Sequence, residues 1–215
     1  MFSHTSTIGD YDSSAALLLF GLAMSTQSLS HILFEGLHIL GPRHIERGEF
    51  DLILVRPGHP LLHILSAFFQ ISGVIPFFLG LGITVYALSQ STRIFLPISL
   101  FFLPLLIVSG TLVLGGILLS VSSLAFLFKR VRAARQTMLS LESTMVYPLD
   151  IFPQGIKNLL FSIVPFGWAA FGPSRYFLTG DFVWLVASLA AGPLVGFAGL
   201  SIFNSLARTY ESTGT

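Results

Sequence analysis

Long apolar runs separated by short polar breaks organise this chain. Stretches free of Asp, Glu, Lys and Arg occupy roughly Ser14 to Phe34, Leu61 to Leu88, Ile94 to Phe128 and Phe182 to Leu206. A hydrocarbon core about 30 Å thick is crossed by about 20 apolar residues in a helix. Each run therefore predicts a spanning helix, labelled in turn segments A, B, C and E. Segment C is longer than one crossing and must tilt or project. Between C and E, residues Thr137 to Phe171 are interrupted by Pro148, Pro153 and Pro165, and Pro173 follows. A straight helix cannot run through that spacing. This segment D is expected to be helical to about Val146. Beyond it, over residues 146–180, a hairpin of half-helices dips into one face and carries Tyr147 and the four prolines.

Composition strengthens this reading. The chain is 53% hydrophobic and 10% charged, against about 25% charged for an ordinary soluble domain. The expectation is an all-α, polytopic membrane bundle of about five segments, with residues 1–215 forming a single domain. A net charge of +1 and no cysteine leave no global field for nucleic acid and exclude disulfides and thiolate metal sites. The start, MFSHTSTIGDYDSS, lacks the basic region of a secretory signal, so segment A reads as retained.

Basic residues next to spans mark the cytoplasmic side. Arg43, Arg47 and Arg56 lie between A and B, and Lys129, Arg130, Arg132 and Arg135 follow C. The B–C connection has only Arg93, and the D hairpin only Lys157 and Arg175. The first two groups are expected inside and the others outside, which places Arg208 and the tail inside and the N-terminus outside. An outside N-terminus suggests that a preceding span is missing. Trp168, Tyr176 and Trp184 flank the D–E connection, where either an interface or ordinary aromatic packing accounts for them; Tyr86 is assigned to the same face.

Charge is concentrated in RHIERGEFDLILVRPGHPLLH, residues 43–63. Ile45, Phe50, Ile53 and Leu54 form a loose apolar stripe beside Glu46, Arg47, Glu49 and Asp51. Gly48 weakens a continuous helix, and Pro57 ends it. Two readings stand: a docking surface for a soluble partner, or an interfacial linker whose arginines only set topology.

Other groups carry weaker signals. His59 and His63 share a helical face, but Pro60 intervenes and no third ligand is evident, so no metal site is expected. Glu142 is the one carboxylate that could fall within segment D. It either lines a pathway, faces the interface, or pairs with Arg135. Gly192 and Gly196, with Gly199 nearby, permit close helix approach in segment E, and packing within the subunit is the expected use. Pro76 and Pro104 are expected to kink or loosen segments B and C.

The run GPRHIERGEFDLILVRPGHPLLHIL resembles the cytoplasmic loop of one branch of the type 2 exporter permeases of the ATP-binding-cassette superfamily. There a basic-Gly-Glu-(Phe or Leu)-Asp run precedes Leu-Leu/Val-Arg-Pro. Arg47, Gly48, Glu49, Phe50, Asp51, Leu54, Arg56 and Pro57 match it. Residues 146–180 are similar to that branch's Tyr-Pro-Leu-x-Ile-(Phe or Tyr)-Pro segment and to the Val-Pro and Pro-x-x-x-Leu positions after it. Arg208, Tyr210, Glu211 and Ser212 resemble its ending. The resemblance implies six spans per subunit, with A to E as spans two to six and the first absent here. It also implies a second permease subunit, identical or different, and a separate nucleotide-binding ATPase docked on loop 36–60.

No G-x-x-x-x-G-K-[ST] phosphate cradle occurs in the sequence, so ATP and Mg are expected on that partner and no cofactor on this chain. The docking residues would be Arg43, Glu46, Arg47, Gly48, Glu49, Phe50, Asp51, Arg56 and Pro57. A multi-pass protein of the plasma or inner membrane, surrounded by lipid and working as an exporter, is expected. An embedded enzyme would need converging polar groups that the segments do not offer; a non-catalytic scaffold is the other rival.

Overall fold

The structure, a computed structural model, describes residues 7–8, 11–90, 96–128 and 132–210. It opens on a two-residue antiparallel ladder, β1 (Thr7–Ile8) with β2 (Tyr11–Asp12). Among the described residues, everything after it is helical or connecting. The helices are α1 (Ser13–His38), α2 (Phe50–Leu54), α3 (Pro60–Ser66), α4 (Val74–Gln90), α5 (Leu96–Ser123), α6 (Arg132–Glu142), α7 (Gln154–Ser162), α8 (Phe171–Thr179) and α9 (Phe182–Ala207). Among the described residues, four stretches are long and apolar enough to cross a membrane: Ser13–Ile45, Ile71–Gln90, Leu100–Phe126 and Phe182–Ala207. The molecule is an all-α polytopic bundle.

Local chemistry sets the helix ends. The Asp12 carboxylate accepts from Ala15 N at 2.8 Å and starts α1. Gly180, at φ +71°, stops α8 in the left-handed conformation; the Asp181 side chain then accepts from Val183 N at 2.9 Å to start α9. Segment B departs from the expected single helix. The chain leaves helical geometry after Ala67, with Gln70 extended, passes through a 3-10 turn at Ile71–Gly73, and resumes as α4. Pro76, six residues beyond the extended Gln70, is compatible with a helix that starts at Val74. It has no N–H to donate four residues back and its ring crowds Ser72, so it fits in the first turn of a new helix rather than the middle of an old one. Pro104 lies inside α5 and Pro193 inside α9, both within continuous helices.

Small residues bring the spanning helices together. A Cβ on Gly21 would meet Thr84 N at 2.8 Å, and one on Gly80 would meet Ser25 N at 2.7 Å, so α1 and α4 touch backbone to backbone and antiparallel. The α5–α9 seam runs parallel, through Ser109 with Gly192 and Gly116 with Val195 and Gly199. Ser109 Oγ donates to Ser188 O at 2.6 Å and accepts from Gly192 N at 3.1 Å. The small-residue motif of segment E therefore packs within the chain. Its contacts are Gly192 and Gly199, however, while a Cβ on Gly196 would meet only Leu112 O at 3.9 Å.

Helices α1, α5 and α9 finish at one face, where Phe50, Phe126 and Tyr210 meet. Segment D approaches from there through α6, continues as a 3-10 turn at Ser143–Val146, and breaks as its prolines require. Pro148 precedes a 3-10 turn at Leu149–Ile151, Pro153 precedes α7, Pro165 precedes a turn at Phe166–Trp168, and Pro173 lies in the first turn of α8. The hairpin reaches deep into the bundle: a Cβ on Gly110, midway along α5, would collide with Ala169 O, and one on Gly172 would meet Ser188 Oγ at 2.6 Å. Pro148 and Pro173 are buried there; Tyr147 and Pro153 are exposed and Pro165 is half-buried. Trp168 and Trp184 are in ring contact at 5.8 Å, and Trp168 Nε1 donates to Phe161 O at 3.0 Å, so these aromatics pack on one another. Asp150 pairs with Lys157 at 2.8 Å and Arg175 at 3.6 Å.

Candidate docking site

Between α1 and α3 the chain makes a compact cap on the bundle. A π-helical turn at Leu40–Ile45 continues α1 and ends in a bend whose Gly48 adopts φ +72°. A side chain there would be strained, and the reversal sends α2 back across the bundle end. Arg43 Nε donates to Glu49 Oε2 at 2.9 Å across the bend, and its guanidinium lies 5.4 Å from the centre of the Phe68 ring. This pairing ties both ends of the Gly48 turn together. A cleft of about 490 Å³ opens beside it, lined by Arg43, His44, Glu49, Ile53, Arg56 and His63.

The apolar stripe is inward at Ile45, Phe50 and Ile53, which are 5%, 0% and 6% exposed. Leu54, the last residue of α2, departs from it and faces outward with Leu52 and Val55. Phe50 is therefore buried within the chain itself. It holds the element down rather than meeting another molecule, because a full aromatic ring gains most by leaving water. Its ring is edge-on to Phe126 and to Tyr210, with centroids 5.0 Å apart in each case, and Phe126 in turn meets Phe203 at 5.7 Å. Two aromatic contacts thus join α2 to the ends of α5 and α9, and a third joins those ends to each other. Tyr210 also lies beside Asp51; burial first, and that carboxylate second, push its phenol above the ordinary tyrosine range.

What remains outward is mixed in character. Glu46, Arg47, Arg56 and Pro57 are exposed around Leu52 and Val55, the latter 81% exposed, while Gly48, Glu49 and Asp51 are half-buried. An apolar centre rimmed by charge is the anatomy of a protein-binding surface. His59 and His63 take separate partners: His59 Nε2 lies 3.0 Å from Asn204 Oδ1, and His63 Nε2 lies 2.9 Å from Pro57 O. Both hold the cap to its surroundings. Lys129, Arg130, Arg93, Glu211 and Ser212 lie outside the described residues, as do the side chains of Arg132 and Arg135.

Glu142, the candidate for a pathway, is buried at 6% exposure where α6 gives way to its 3-10 turn. Its backbone O accepts from Gln27 Nε2 at 2.7 Å, and its carboxylate lies 3.8 Å from His31 Nε2. Sequence reasoning did not bring His31, Glu35 and His38 to this place. Their i, i+4, i+7 spacing on α1 was the available signal.

Apolar spanning helices, a hairpin inserted from one face and a charged cap on the other define a polytopic membrane protein. The chain belongs to the ABC-2 transporter family: a family model described as ABC-2 family transporter protein matches residues 1–214. It is thus a membrane permease subunit of an ABC transporter, a transport component rather than a catalyst. No curated protein and no solved structure matches it.

Proposed function

We propose that this chain is the permease of an exporter whose ATP is hydrolysed by a separate subunit, and that the outward surface of residues 43–57 is where that subunit docks on the cytoplasmic side. The observation that carries the reading is the aromatic joint beneath the surface. A docking patch on a loose loop would absorb a partner's movement, whereas Phe50 wedged against Phe126 and Tyr210 passes a push on α2 into the ends of α5 and α9. Because α5 and α9 share a close backbone seam, they would move as one body against α1 and α4. The transported molecule would pass along a boundary of that body. A second permease subunit would complete the pathway, and ATP with Mg would stay on the ATPase.

The charged rim gives the test. Reversing Arg47 and Arg56 together to Glu leaves the buried contacts of Phe50 and Ile53 untouched, since both arginines are exposed. The paired variant is expected to remain folded but to lose co-purifying ATPase by about tenfold or more, the scale of a few interfacial charges. Retention of the ATPase at unchanged stoichiometry would place the interface elsewhere.

A further inference from the structure

Below the cap, α1 turns three side chains to one side: His31, Glu35 and His38, at helical positions i, i+4 and i+7. One potential ligand atom from each lies within 4.8 Å of the others. His31 and His38 stack with ring centroids 5.8 Å apart, and His31 Nδ1 lies 3.5 Å from Glu35 Oε2. The other nitrogen of His31, Nε2, faces Glu142 Oε1 from α6 at 3.8 Å. Gln70 stands behind Glu35, and with its amide in the orientation that satisfies both neighbours it donates to Glu35 Oε2 at 2.8 Å and accepts from Ser72 Oγ at 2.9 Å.

We propose that His31, Glu35 and His38 form a binding site for one divalent transition-metal ion of the Zn²⁺ class, with Glu142 as the carboxylate that orients His31. Two imidazoles and a carboxylate are a zinc donor set that leaves a fourth position for water. Mg²⁺ and Ca²⁺ are disfavoured, because they require six or more oxygens and the cluster offers few. Ligand atoms around a tetrahedral zinc stand about 3.3 Å apart, given bonds of about 2.0 Å. Closing from the observed separations takes side-chain rotation alone, as all three residues are on one rigid helix. With Nδ1 on the metal, the Nε2–H of His31 points at Glu142, the carboxylate–histidine–metal arrangement that fixes tautomer and ring orientation.

Electrostatics favours the same assignment. Glu35 and Glu142 both face His31 within the membrane body. Two carboxylates beside one imidazole are costly there, and a dication neutralises them. The site is accessible, because the side chains of His31 and Glu35 are 37% and 30% exposed, while Glu142 and His38 are buried at its back. A bound ion would fasten the C-terminal third of α1 to the junction where α6 ends, so it would stiffen the contact between a spanning helix and the broken segment. This assignment stands apart from the docking reading, and its test involves neither ATP nor a partner.

The test is a titration of the purified full chain, carrying no polyhistidine tag, with Co²⁺ in detergent. One equivalent is expected to produce the visible d–d bands of a four- or five-coordinate ion. Zn²⁺ should abolish the bands and excess Mg²⁺ should leave them. Glu142→Gln, which keeps the shape of the side chain, should weaken binding by about 10–100-fold, His31→Ala with His38→Ala should remove it, and His59→Ala should have no effect. Absence of the bands in the unaltered protein overturns the proposal before any variant is made. Bands that survive the double substitution, or that vanish with His59→Ala, overturn it too.

Discussion

Phe50→Ala is expected to destabilise the chain by about 3–5 kcal/mol, the range for deleting a buried aromatic ring, and to uncouple the transporter even where the protein still folds. The ring is fully buried and edge-on to both Phe126 and Tyr210. Truncation leaves a void under α2 that neither neighbour can fill, since each belongs to a helix end held by other contacts. The outward residues Arg47, Leu52, Val55 and Arg56 would keep their identity while losing the support beneath them. The prediction therefore separates two measurements. ATPase binding should persist, weakened by less than the charge reversal at Arg47 and Arg56 weakens it, whereas stimulation of ATP turnover by the permease should be lost. Phe50→Leu retains most of the volume and should recover part of the stimulation. If Phe50→Ala left stimulation intact, the aromatic joint would not be the route by which α2 moves the bundle.

The second large effect lies in the α5–α9 seam, where a Gly→Ala substitution should be costly although the same change on the open face of α4 is not. Gly→Ala within a helix is favourable by about 1 kcal/mol from propensity alone. At Gly82 nothing lies within 4 Å of the added Cβ, so Gly82→Ala is expected to be neutral or stabilising. At Gly116 the new Cβ would sit 2.5 Å from Val195 O and 2.7 Å from Val195 C. Those are backbone atoms of α9 and cannot rotate aside, so the two helices must separate. Overpacking of this kind costs about 1–3 kcal/mol or more, and loss of the Ser109 bridge to Ser188 and Gly192 would add to it. Thermal unfolding in detergent should rank the variants Gly82→Ala, Gly196→Ala, Gly116→Ala from most to least stable. A Gly196→Ala protein less stable than Gly116→Ala would mean that Gly196, rather than Gly116, is the tighter point of the seam.

The contrast between Gly196 and Gly116 also marks how far the sequence could be read. Hydropathy located segments A and E to within a few residues of α1 and α9, because the edges of an apolar run are set by charged and capping residues such as Asp12 and Asp181 that are visible in the chain. The prolines of segment D predicted its breaks, since each acts on its own backbone. In segment B the kink expected at Pro76 lies elsewhere: helical geometry is lost at Phe68 to Gln70, a stretch as compatible with a span as the helix around it. Packing partners were least legible. Phe50 and Tyr210 both lay in recognisable stretches, yet their meeting depends on where α1 and α9 finish. The same holds for Glu142, whose neighbour His31 is on another helix; an apolar pattern records burial without naming what is buried against what.

The central claim is that the cap formed by residues 43–57 faces the cytoplasm, and the absence of cysteine from the chain makes it directly measurable. A single cysteine at Val55, the most exposed apolar position of the cap, should be inaccessible to a membrane-impermeant maleimide in intact cells and labelled readily in inverted vesicles. A cysteine at Ile163, exposed within the hairpin, should show the opposite pattern. Labelling of Val55→Cys from outside intact cells would contradict the account, because an ATPase in the cytoplasm could then never reach the surface proposed to receive it.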